Sequence, residues 1–360
     1  MSTPIFQSLP VVAIDPEAAQ AAAITLQVPP DLIPAYAFEP GQFITVRALV
    51  QGQEVRRSYS LCSTPELLAT QGLIRIGVRA VEGGLMSNWL TQSVQAGDTL
   101  QVAPPEGRFV IRRQRALHRV GFAAGSGITP ILSILTHTLE SSPKAKFTLV
   151  YGNRRMGSVM FNEALQDLKD RYPDRLTLIH ILSRQAQEVP LLEGRIDEAK
   201  VRELMALFLP VNSMDEVFIC GPEPMIEATE AALLGAGVAR DRVHTERFAS
   251  AGAPKVTPAS PKVATDTAGV RLSVIVDGKR HEMHMQDDQR ILDVALEAGL
   301  DLPYSCKAGV CCTCRAKVLE GQVHMDKNFT LEEAEMKQGF VLSCQAKPCS
   351  ASVVVSFDER

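Results

Sequence analysis

Three regions of the chain differ in the spacing of their apolar residues. In residues 1–112, short runs that favour β-strands, such as "AITLQV", "GQFITVRAL" and "LIRIGVRAV", are separated by Pro and Gly. A helical period is present in "SNWLTQSV" and almost nowhere else in this region. Short strands with turn residues between them predict a small antiparallel β-barrel.

Residues 113–248 alternate strand-like and helix-like segments instead. The strand-like runs are "RVGFAA", "KFTLVYG", "LTLIHILS", "DEVFICG" and "RVHTERF", and amphipathic stretches such as "SVMFNEALQDLKDRY" lie between them. Five strands joined by helices predict an α/β domain with a doubly wound parallel sheet. Such sheets bind ligands at the carboxyl ends of their strands.

The remainder of the chain predicts a linker followed by a third domain. Residues 249–270 are rich in Pro, Ala, Ser and Thr and have no apolar period, which is typical of a flexible linker. Residues 271–360 contain two strand-like runs around Asp277–Gly278, a two-residue hairpin signal, and then an amphipathic helix in "RILDVALEAGLDLP". The further strands "CRAKVLEGQV" and "SVVVSF" complete the pattern of a β-grasp domain.

Charge and composition narrow the classes of partner. The 360 residues include 37 basic and 41 acidic side chains, a balance that argues against a nucleic-acid partner. No basic start followed by an apolar run precedes residue 30, and no stretch approaches 18 uninterrupted apolar residues, so we expect a soluble, cytoplasmic protein without a membrane partner. In that reducing compartment, clustered cysteines favour metal binding over disulfide bonds.

Four of the eight cysteines have the spacing of an iron-sulfur site. Cys306, Cys311 and Cys314 follow the pattern C-x4-C-x2-C, and Cys344 stands far beyond them in "VLSCQA". This is the plant-type pattern of four thiolates around a [2Fe-2S] cluster. Zinc is the alternative, although structural zinc sites typically pair two short cysteine knuckles and here the distal cysteine stands alone.

Two further cysteines leave another pairing open. Cys312 lies between predicted ligands, and Cys349 lies five residues beyond Cys344. We favour Cys344 as the fourth ligand because the apolar run "FVL" can anchor it at the end of a strand, whereas "KPCSAS" has the composition of a turn.

Three strand ends of the α/β region carry residues suited to a nucleotide. In "AAGSGITP", Gly125 and Gly127 let the backbone approach a phosphate, and Thr129 is placed to cap the following helix. In "CGPEPM", Cys220 and Gly221 end a strand immediately before a helix. Each of these turns is also compatible with a tight turn that binds nothing.

The strand end "LSRQ" bears on which nucleotide is bound. Ser183 and Arg184 are suited to a 2′-phosphate, and no Asp or Glu is present there to bind ribose hydroxyls. These residues favour NADPH over NADH. The alternative is that Arg184 is a solvated surface charge.

Two stretches of the predicted barrel are suited to a flavin. "RRSYSLCS" places Arg57 and Tyr59 on one face of a strand, where an Arg can pair with a pyrophosphate and a Tyr can stack on a flat ring. "VEGGLMSNWL" places Gly83 and Gly84 before a short helix whose first turn contains Ser87. An ordinary strand and a capped turn remain the alternative.

The motifs taken together resemble the ferredoxin-NADP reductase superfamily. "RSYS", "GG-x-x-S", "GSGITP" and "CGPEPM" occur in the order and spacing of that family, and so do "EPGQF", "YGNR", "ERF" and "VLSCQA". The cysteine-rich domain at the C-terminal end resembles the branch that serves ring-epoxidising and steroid-hydroxylating oxygenases. The resemblance extends over essentially the whole chain.

The resemblance implies roles for individual residues. Four residues would lie at the reacting rings, namely Tyr59 packed on the flavin, Ser60 near its N5, Cys220 near the nicotinamide and Phe248 over the flavin. Residues implied in holding FAD or the nicotinamide nucleotide are Arg57, Val78, Gly84, Met86, Ser87, Gly125, Gly127, Thr129, Arg154, Ser183, Arg184, Gly221, Pro222 and Met225. Phe248 stands where many relatives carry a terminal Tyr.

The implied activity is electron transfer from NADPH through FAD and a [2Fe-2S] cluster to an oxygenase, by resemblance a di-iron oxygenase. A pyridine nucleotide delivers two electrons as a hydride, whereas the cluster accepts one at a time, and a flavin does both. The alternatives are a reductase for a different ring-hydroxylating oxygenase and a redox sensor whose cluster controls binding to a partner. The acidic stretch 320–335 is compatible with a docking surface or with a solvated helix.

Overall fold

The structure is a computed structural model that describes residues 6–248 and 269–359. It contains two compact units, one made of residues 7–55 and 59–248 and the other containing residues 269–359. The predicted linker lies outside the described residues except for its last two positions, 269 and 270. No helix in the described ranges is long and apolar enough to cross a lipid bilayer.

The N-terminal sheet is antiparallel and six-stranded. Its strands and helices are β1 (Gln7–Pro16), β2 (Ala21–Gln27), β3 (Phe43–Val50), β4 (Gln53–Ser60), α1 (Pro65–Gln71), β5 (Leu73–Arg79), α2 (Leu85–Gln92) and β6 (Thr99–Val102). The strand order is β4-β3-β6-β1-β2-β5. A bridge between Leu61, just after β4, and Ile76 of β5 joins the two edge strands. The sheet is therefore closed on itself, which confirms the predicted barrel.

The second sheet is parallel and five-stranded. Its elements are β7 (His118–Ala124), α3 (Ile128–Ser141), β8 (Lys146–Asn153), α4 (Asn162–Arg171), β9 (Leu176–Leu182), α5 (Glu198–Leu207), β10 (Glu216–Gly221), α6 (Glu223–Gly235) and β11 (Val243–Arg247). The strand order β11-β10-β7-β8-β9 confirms the predicted doubly wound sheet. Because β7 lies between β8 and β10, the direction of winding changes at β7, and ligands of such sheets bind at that point.

A buried ion pair fixes the segment that joins the barrel to the parallel sheet. Glu216 is fully buried and Arg119 is 2% exposed, and the Arg119 Nε donates to the Glu216 Oε2 at 3.0 Å. The Glu216 Oε1 accepts the backbone N–H groups of Arg112 and Arg113, each at 2.9 Å. One carboxylate therefore anchors the connecting segment to the first residue of β10.

Hydrogen bonds keep the buried carboxyl group of Glu216 ionised. Burial raises its pKa, but the His244 side chain, the two backbone N–H groups and the Arg119 guanidinium together lower that pKa to about 2. Both buried charges are thus paired and hydrogen-bonded, the condition under which an ion pair is tolerated inside a protein.

The C-terminal unit has the β-grasp arrangement. Its elements are β12 (Val270–Val276), β13 (Lys279–Met285), α7 (Ile291–Glu297), β14 (Arg315–Glu320), β15 (Val323–Met325), α8 (Glu333–Lys337), β16 (Phe340–Leu342), β17 (Ala346–Pro348) and β18 (Ser352–Ser356). The main sheet has the order β13-β12-β18-β14-β16, with β12 and β18 parallel at its centre. Positive φ angles at Asp277 (51°) and Gly278 (72°) form the predicted hairpin turn.

Candidate functional site

The four predicted cluster cysteines lie in the C-terminal unit as two hydrogen-bonded pairs. Cys306 is paired with Cys311, and Cys314 with Cys344. All four side chains are at most 8% exposed. Within each pair the hydrogen bond between the two sulfurs lowers the pKa of one thiol, Cys306 to about 6 and Cys344 below its usual value, and raises the pKa of the other.

Backbone N–H groups of the loop point at these sulfurs. The Ala308 N–H donates to the Cys306 Sγ at 3.3 Å, and the N–H of Val310 also lowers the pKa of Cys306. Gly309 has a φ of +78°, and a Cβ there would lie 3.0 Å from the Lys327 carbonyl oxygen, so the loop requires glycine at this position. Backbone N–H groups in this arrangement suit a negatively charged cluster.

The pairing of the cysteines matches the ligand arrangement of a [2Fe-2S] cluster. Such a cluster takes two thiolates on each iron. Cys349 is exposed and Cys312 is only partly buried, with a φ of +61°. The donor set therefore fits a [2Fe-2S] cluster.

In the other unit, the turn after β7 meets the end of β10. Gly125 has a φ of +54°, and the space beside it is open. A Cβ on Gly127 would stand 2.1 Å from the Cys220 carbonyl oxygen, so glycine is needed for this close approach. The Cys220 side chain is fully buried, and burial raises the pKa of its thiol. Cys220 would therefore present backbone atoms, rather than a reactive thiolate, to a bound nucleotide.

Thr129 does not cap the helix as the sequence suggested. The helix α3 begins at Ile128 and has Gly127 as its N-cap, so Thr129 already lies inside the first turn. Its hydroxyl donates to the Ser126 carbonyl at 3.0 Å, and its side chain is 2% exposed. The open N–H groups of this turn, rather than a side-chain cap, fit a phosphate.

The candidate residues for a 2′-phosphate are brought together by the backbone. The Ser183 and Arg184 N–H groups donate to the carbonyl oxygens of Asn153 and Arg154, respectively, at 2.9 Å each. The Arg154 and Arg184 side chains are exposed at the adjacent ends of β8 and β9.

The end of β10 carries the other nucleotide candidates. Gly221 is held close to the buried Met225 side chain. Pro222 is the N-cap residue of α6.

The flavin candidates lie on β4 and β5 of the barrel. Arg57 is exposed, Tyr59 is half-buried and Ser60 is 5% exposed at the end of β4. The Val78 side chain is fully buried in the barrel core, so only its main-chain atoms are available to a cofactor. Phe248, the last residue before the undescribed segment, is 38% exposed.

A glycine turn forms the start of α2. A Cβ on Gly84 would lie 2.6 Å from the Ser87 Oγ and 3.1 Å from the Val81 carbonyl oxygen. The Ser87 Oγ accepts the Val81 N–H at 3.2 Å, which leaves the hydroxyl proton free to be donated. The Met86 side chain is 2% exposed and belongs to the core, so this residue offers its backbone N–H. The turn fits a phosphate of FAD.

Three family models match the chain in the order of the three predicted domains. The oxidoreductase FAD-binding domain matches residues 20–111, the oxidoreductase NAD-binding domain residues 122–231, and the 2Fe-2S iron-sulfur cluster binding domain residues 274–349.

Two solved structures share the fold. Phthalate dioxygenase reductase has a TM-score of 0.60 and 23% identity, with 98% of each chain covered. An intact type IV self-sufficient cytochrome P450 monooxygenase has a TM-score of 0.69 and 21% identity, covering 98% of this chain and 41% of that one.

Whole-length relatives are more similar in sequence. The chain is 43% identical over 358 residues to a component of the 1,2-phenylacetyl-CoA epoxidase of Escherichia coli (strain K12), covering 99% of this chain and 98% of that protein. It is 36% identical to the ferredoxin reductase component of 3-ketosteroid-9-alpha-monooxygenase from Rhodococcus rhodochrous, covering 97% and 96%. The chain therefore belongs to the ferredoxin-NADP reductase superfamily, in the branch of oxygenase electron-transfer components that carry a C-terminal [2Fe-2S] domain.

Proposed function

We propose that this protein is the NADPH-dependent reductase of a di-iron oxygenase that epoxidises the ring of phenylacetyl-CoA. The observation that carries the proposal is the 43% identity over 99% of the chain to a component of 1,2-phenylacetyl-CoA epoxidase. The agreement extends through all three domains, so every part needed to move electrons from a pyridine nucleotide to an oxygenase has its counterpart here.

The cofactors supply the redox chemistry, and the chain holds and orients them. When bound, FAD and a [2Fe-2S] cluster convert the two electrons of a hydride into single electrons. Arg57 pairs with the pyrophosphate of FAD, and Tyr59 and Ser60 present their side chains to the flavin ring. The turn at Gly125 and Gly127 takes the phosphates of the nicotinamide nucleotide through its open N–H groups.

Arginine side chains support NADPH as the donor. Arg154 and Arg184 are exposed at neighbouring strand ends, and neither has a carboxylate partner among the ion pairs of the described residues. Two unpaired guanidinium groups favour binding of a dianionic 2′-phosphate. The hydroxyl of Ser183, on the same turn, supplies an additional hydrogen bond.

A second candidate is a reductase for a ring-hydroxylating or steroid oxygenase. The 36% identity to a 3-ketosteroid monooxygenase reductase over 97% of the chain favours this alternative over a redox sensor. Both candidates use the same cofactors and place the reaction in the cytoplasm. They differ in the oxygenase that accepts the electrons.

Reconstitution separates the two candidates. The purified protein is combined with NADPH, oxygen and the oxygenase proteins of either a phenylacetyl-CoA epoxidase or a steroid monooxygenase, and product is measured by mass spectrometry. We expect NADPH oxidation coupled to formation of the ring epoxide in the first mixture. Coupled product in the steroid mixture alone would assign the protein to the second candidate, and slow reduction of cytochrome c by NADPH would favour the sensor.

A further inference from the structure

The Gln345 side chain, next to the predicted ligand Cys344, is buried. Its exposed fraction is 2%, although glutamine is usually a surface residue. A buried amide group is costly unless its N–H bonds have hydrogen-bond acceptors. The acceptors of this amide therefore indicate why glutamine is present here.

The side-chain nitrogen of Gln345 joins two distant parts of the C-terminal unit. Its Nε2 donates to the carbonyl oxygen of Lys307 at 3.0 Å and to that of Cys344 at 2.9 Å. Lys307 is 38 positions away in the chain and directly follows the predicted ligand Cys306. One side chain therefore connects the loop that contains three predicted ligands to the segment that contains the fourth.

The same nitrogen also donates to a predicted ligand sulfur. The Gln345 Nε2 lies 3.5 Å from the Cys344 Sγ, and hydrogen bonds to sulfur are longer than those to oxygen because the sulfur atom is larger. The amide has two N–H bonds for three acceptors, so one N–H is shared between the carbonyl oxygen and the sulfur of Cys344. Unlike the backbone N–H of Ala308 at Cys306, this donor can be removed by a substitution.

The loop that Gln345 contacts has an uncommon backbone conformation. Lys307 has a φ of +50°, in the left-handed region that residues other than glycine seldom adopt. Such a conformation persists when the surrounding structure holds it in place. A Cβ on Gly309 would lie 3.3 Å from the Gln345 Cγ, so the glutamine side chain packs against this loop in addition to its hydrogen bond. Gln345 thus fixes the loop and the sulfur of Cys344 relative to each other.

We propose that Gln345 is a positioning residue for the [2Fe-2S] cluster and that its side-chain amide raises the reduction potential of the cluster. One-electron reduction converts one ferric iron into ferrous iron and adds a negative charge. A hydrogen-bond donor at a ligand sulfur stabilises this more negative state, and hydrogen bonds to the sulfurs are among the factors that set the potential of such clusters. The inference concerns the cluster alone and does not depend on which oxygenase accepts the electrons.

The variant Gln345→Met tests the donor, because methionine is similar in length to glutamine, is flexible enough to fill the same space and has no side-chain N–H. The full-length protein is reduced stepwise without oxygen, with dithionite as the electron donor and with redox mediators, and the reduced cluster is measured by electron paramagnetic resonance. We expect the variant to favour the oxidised cluster about tenfold more than the natural chain does. This change corresponds to a potential lower by about 59 mV for a one-electron couple.

The matched control is Gln322→Met. Gln322 is exposed in the turn between β14 and β15, so its replacement should leave the potential unchanged. Circular dichroism and iron analysis check that both variants fold and hold about two iron atoms per chain. An unchanged potential in Gln345→Met protein that retains its iron would overturn the inference.

A second measurement applies if Gln345→Met does not retain the cluster. The natural chain is labelled with nitrogen-15 in its glutamine side-chain amides, and the reduced cluster is examined by pulsed electron paramagnetic resonance. A hydrogen bond from the Gln345 Nε2 to the Cys344 Sγ should give a hyperfine coupling to nitrogen-15. Absence of this coupling in protein that contains the cluster would overturn the role of Gln345 and leave the electron-transfer function standing. Folded natural protein without iron would overturn both.

Discussion

The backbone of Gly127 is in such close contact with Cys220 that a methyl group built on Gly127 would lie 2.1 Å from the Cys220 carbonyl oxygen. This contact joins the N-cap of α3 to the end of β10, beside the point between β7 and β10 where the sheet changes its direction of winding. The neighbouring atom is backbone, so it cannot move aside as the end of a side chain could. The candidate nicotinamide site therefore requires glycine, which has no side chain, at position 127.

We expect Gly127→Ala to separate these two strand ends. The substitution should lower the free energy of unfolding by about 1–3 kcal/mol, as for other overpacked sites, and reduce NADPH binding at least tenfold. Denaturant unfolding and nucleotide titration measure the two effects. The control is Gly235→Ala, because nothing lies within 4 Å of its added Cβ and alanine is the better helix former. Equal behaviour of the two variants would contradict the importance of this contact.

Cysteine replacements test the ligand set of the cluster. Cys344→Ser should abolish the cluster, since it removes one thiolate of the pair formed with Cys314. Cys349→Ser should leave bound iron at about two atoms per chain, because Cys349 is exposed and is a member of neither pair. Iron analysis and visible absorbance measure the outcome. The reverse result would require a different fourth ligand.

Replacement of Arg184 tests the preference for NADPH over NADH. If its guanidinium binds the 2′-phosphate, Arg184→Ala should raise the KM for NADPH by roughly 10–100-fold, the equivalent of one hydrogen bond to a charged group. The KM for NADH should hardly change, because NADH lacks that phosphate. Steady-state kinetics with cytochrome c as acceptor provide both values. Equal losses with the two nucleotides would assign Arg184 a structural role instead.

Replacement of Glu216 tests its role as the anchor between the barrel and the parallel sheet. Glu216→Gln leaves the buried Arg119 without its counter-ion, which should cost about 3–5 kcal/mol of unfolding free energy at pH 7. Glu198→Gln, which breaks an exposed helical pair with Arg202, should cost less than about 0.5 kcal/mol. Urea unfolding of both variants measures these differences.

The contribution of Glu216 should depend on pH in a defined direction. Its pKa is lowered from 4.5 to about 2, so the folded protein favours the carboxylate. The stabilisation is therefore fully present above about pH 4.5 and is lost as the pH falls towards 2. The difference in unfolding free energy between the natural chain and Glu216→Gln should shrink over this range. A constant difference would show that the carboxylate is not the stabilising form.

The extent to which the sequence predicted the structure depends on how local each signal is. The hairpin at Asp277–Gly278 and the spacing of Cys306, Cys311 and Cys314 are local, because a few neighbouring residues determine the turn or the loop. The assignment of Thr129 as a helix cap was wrong by a few residues, since the helix begins earlier on a Gly-rich 3₁₀ turn.

The features that the sequence did not indicate join residues far apart in the chain. Arg119 and Glu216 are 97 positions apart, and each lies at the start of an apolar strand, where a charged residue normally marks only the strand end. Because the side chains of Val78, Met86 and Cys220 are buried, these residues would offer main-chain atoms to a cofactor. Residue type alone does not indicate this.

We infer that this chain divides the two electrons of a hydride between a flavin and an iron-sulfur cluster. Anaerobic titration with NADPH tests it directly, with flavin bleaching followed by absorbance and cluster reduction by electron paramagnetic resonance. We expect the flavin absorbance to fall and the signal of a reduced [2Fe-2S] cluster to rise in the same titration, and the cluster signal to be missing in Cys344→Ser. Bleaching of the flavin with no cluster signal in the natural protein, or protein that binds neither flavin nor iron, would contradict the claim.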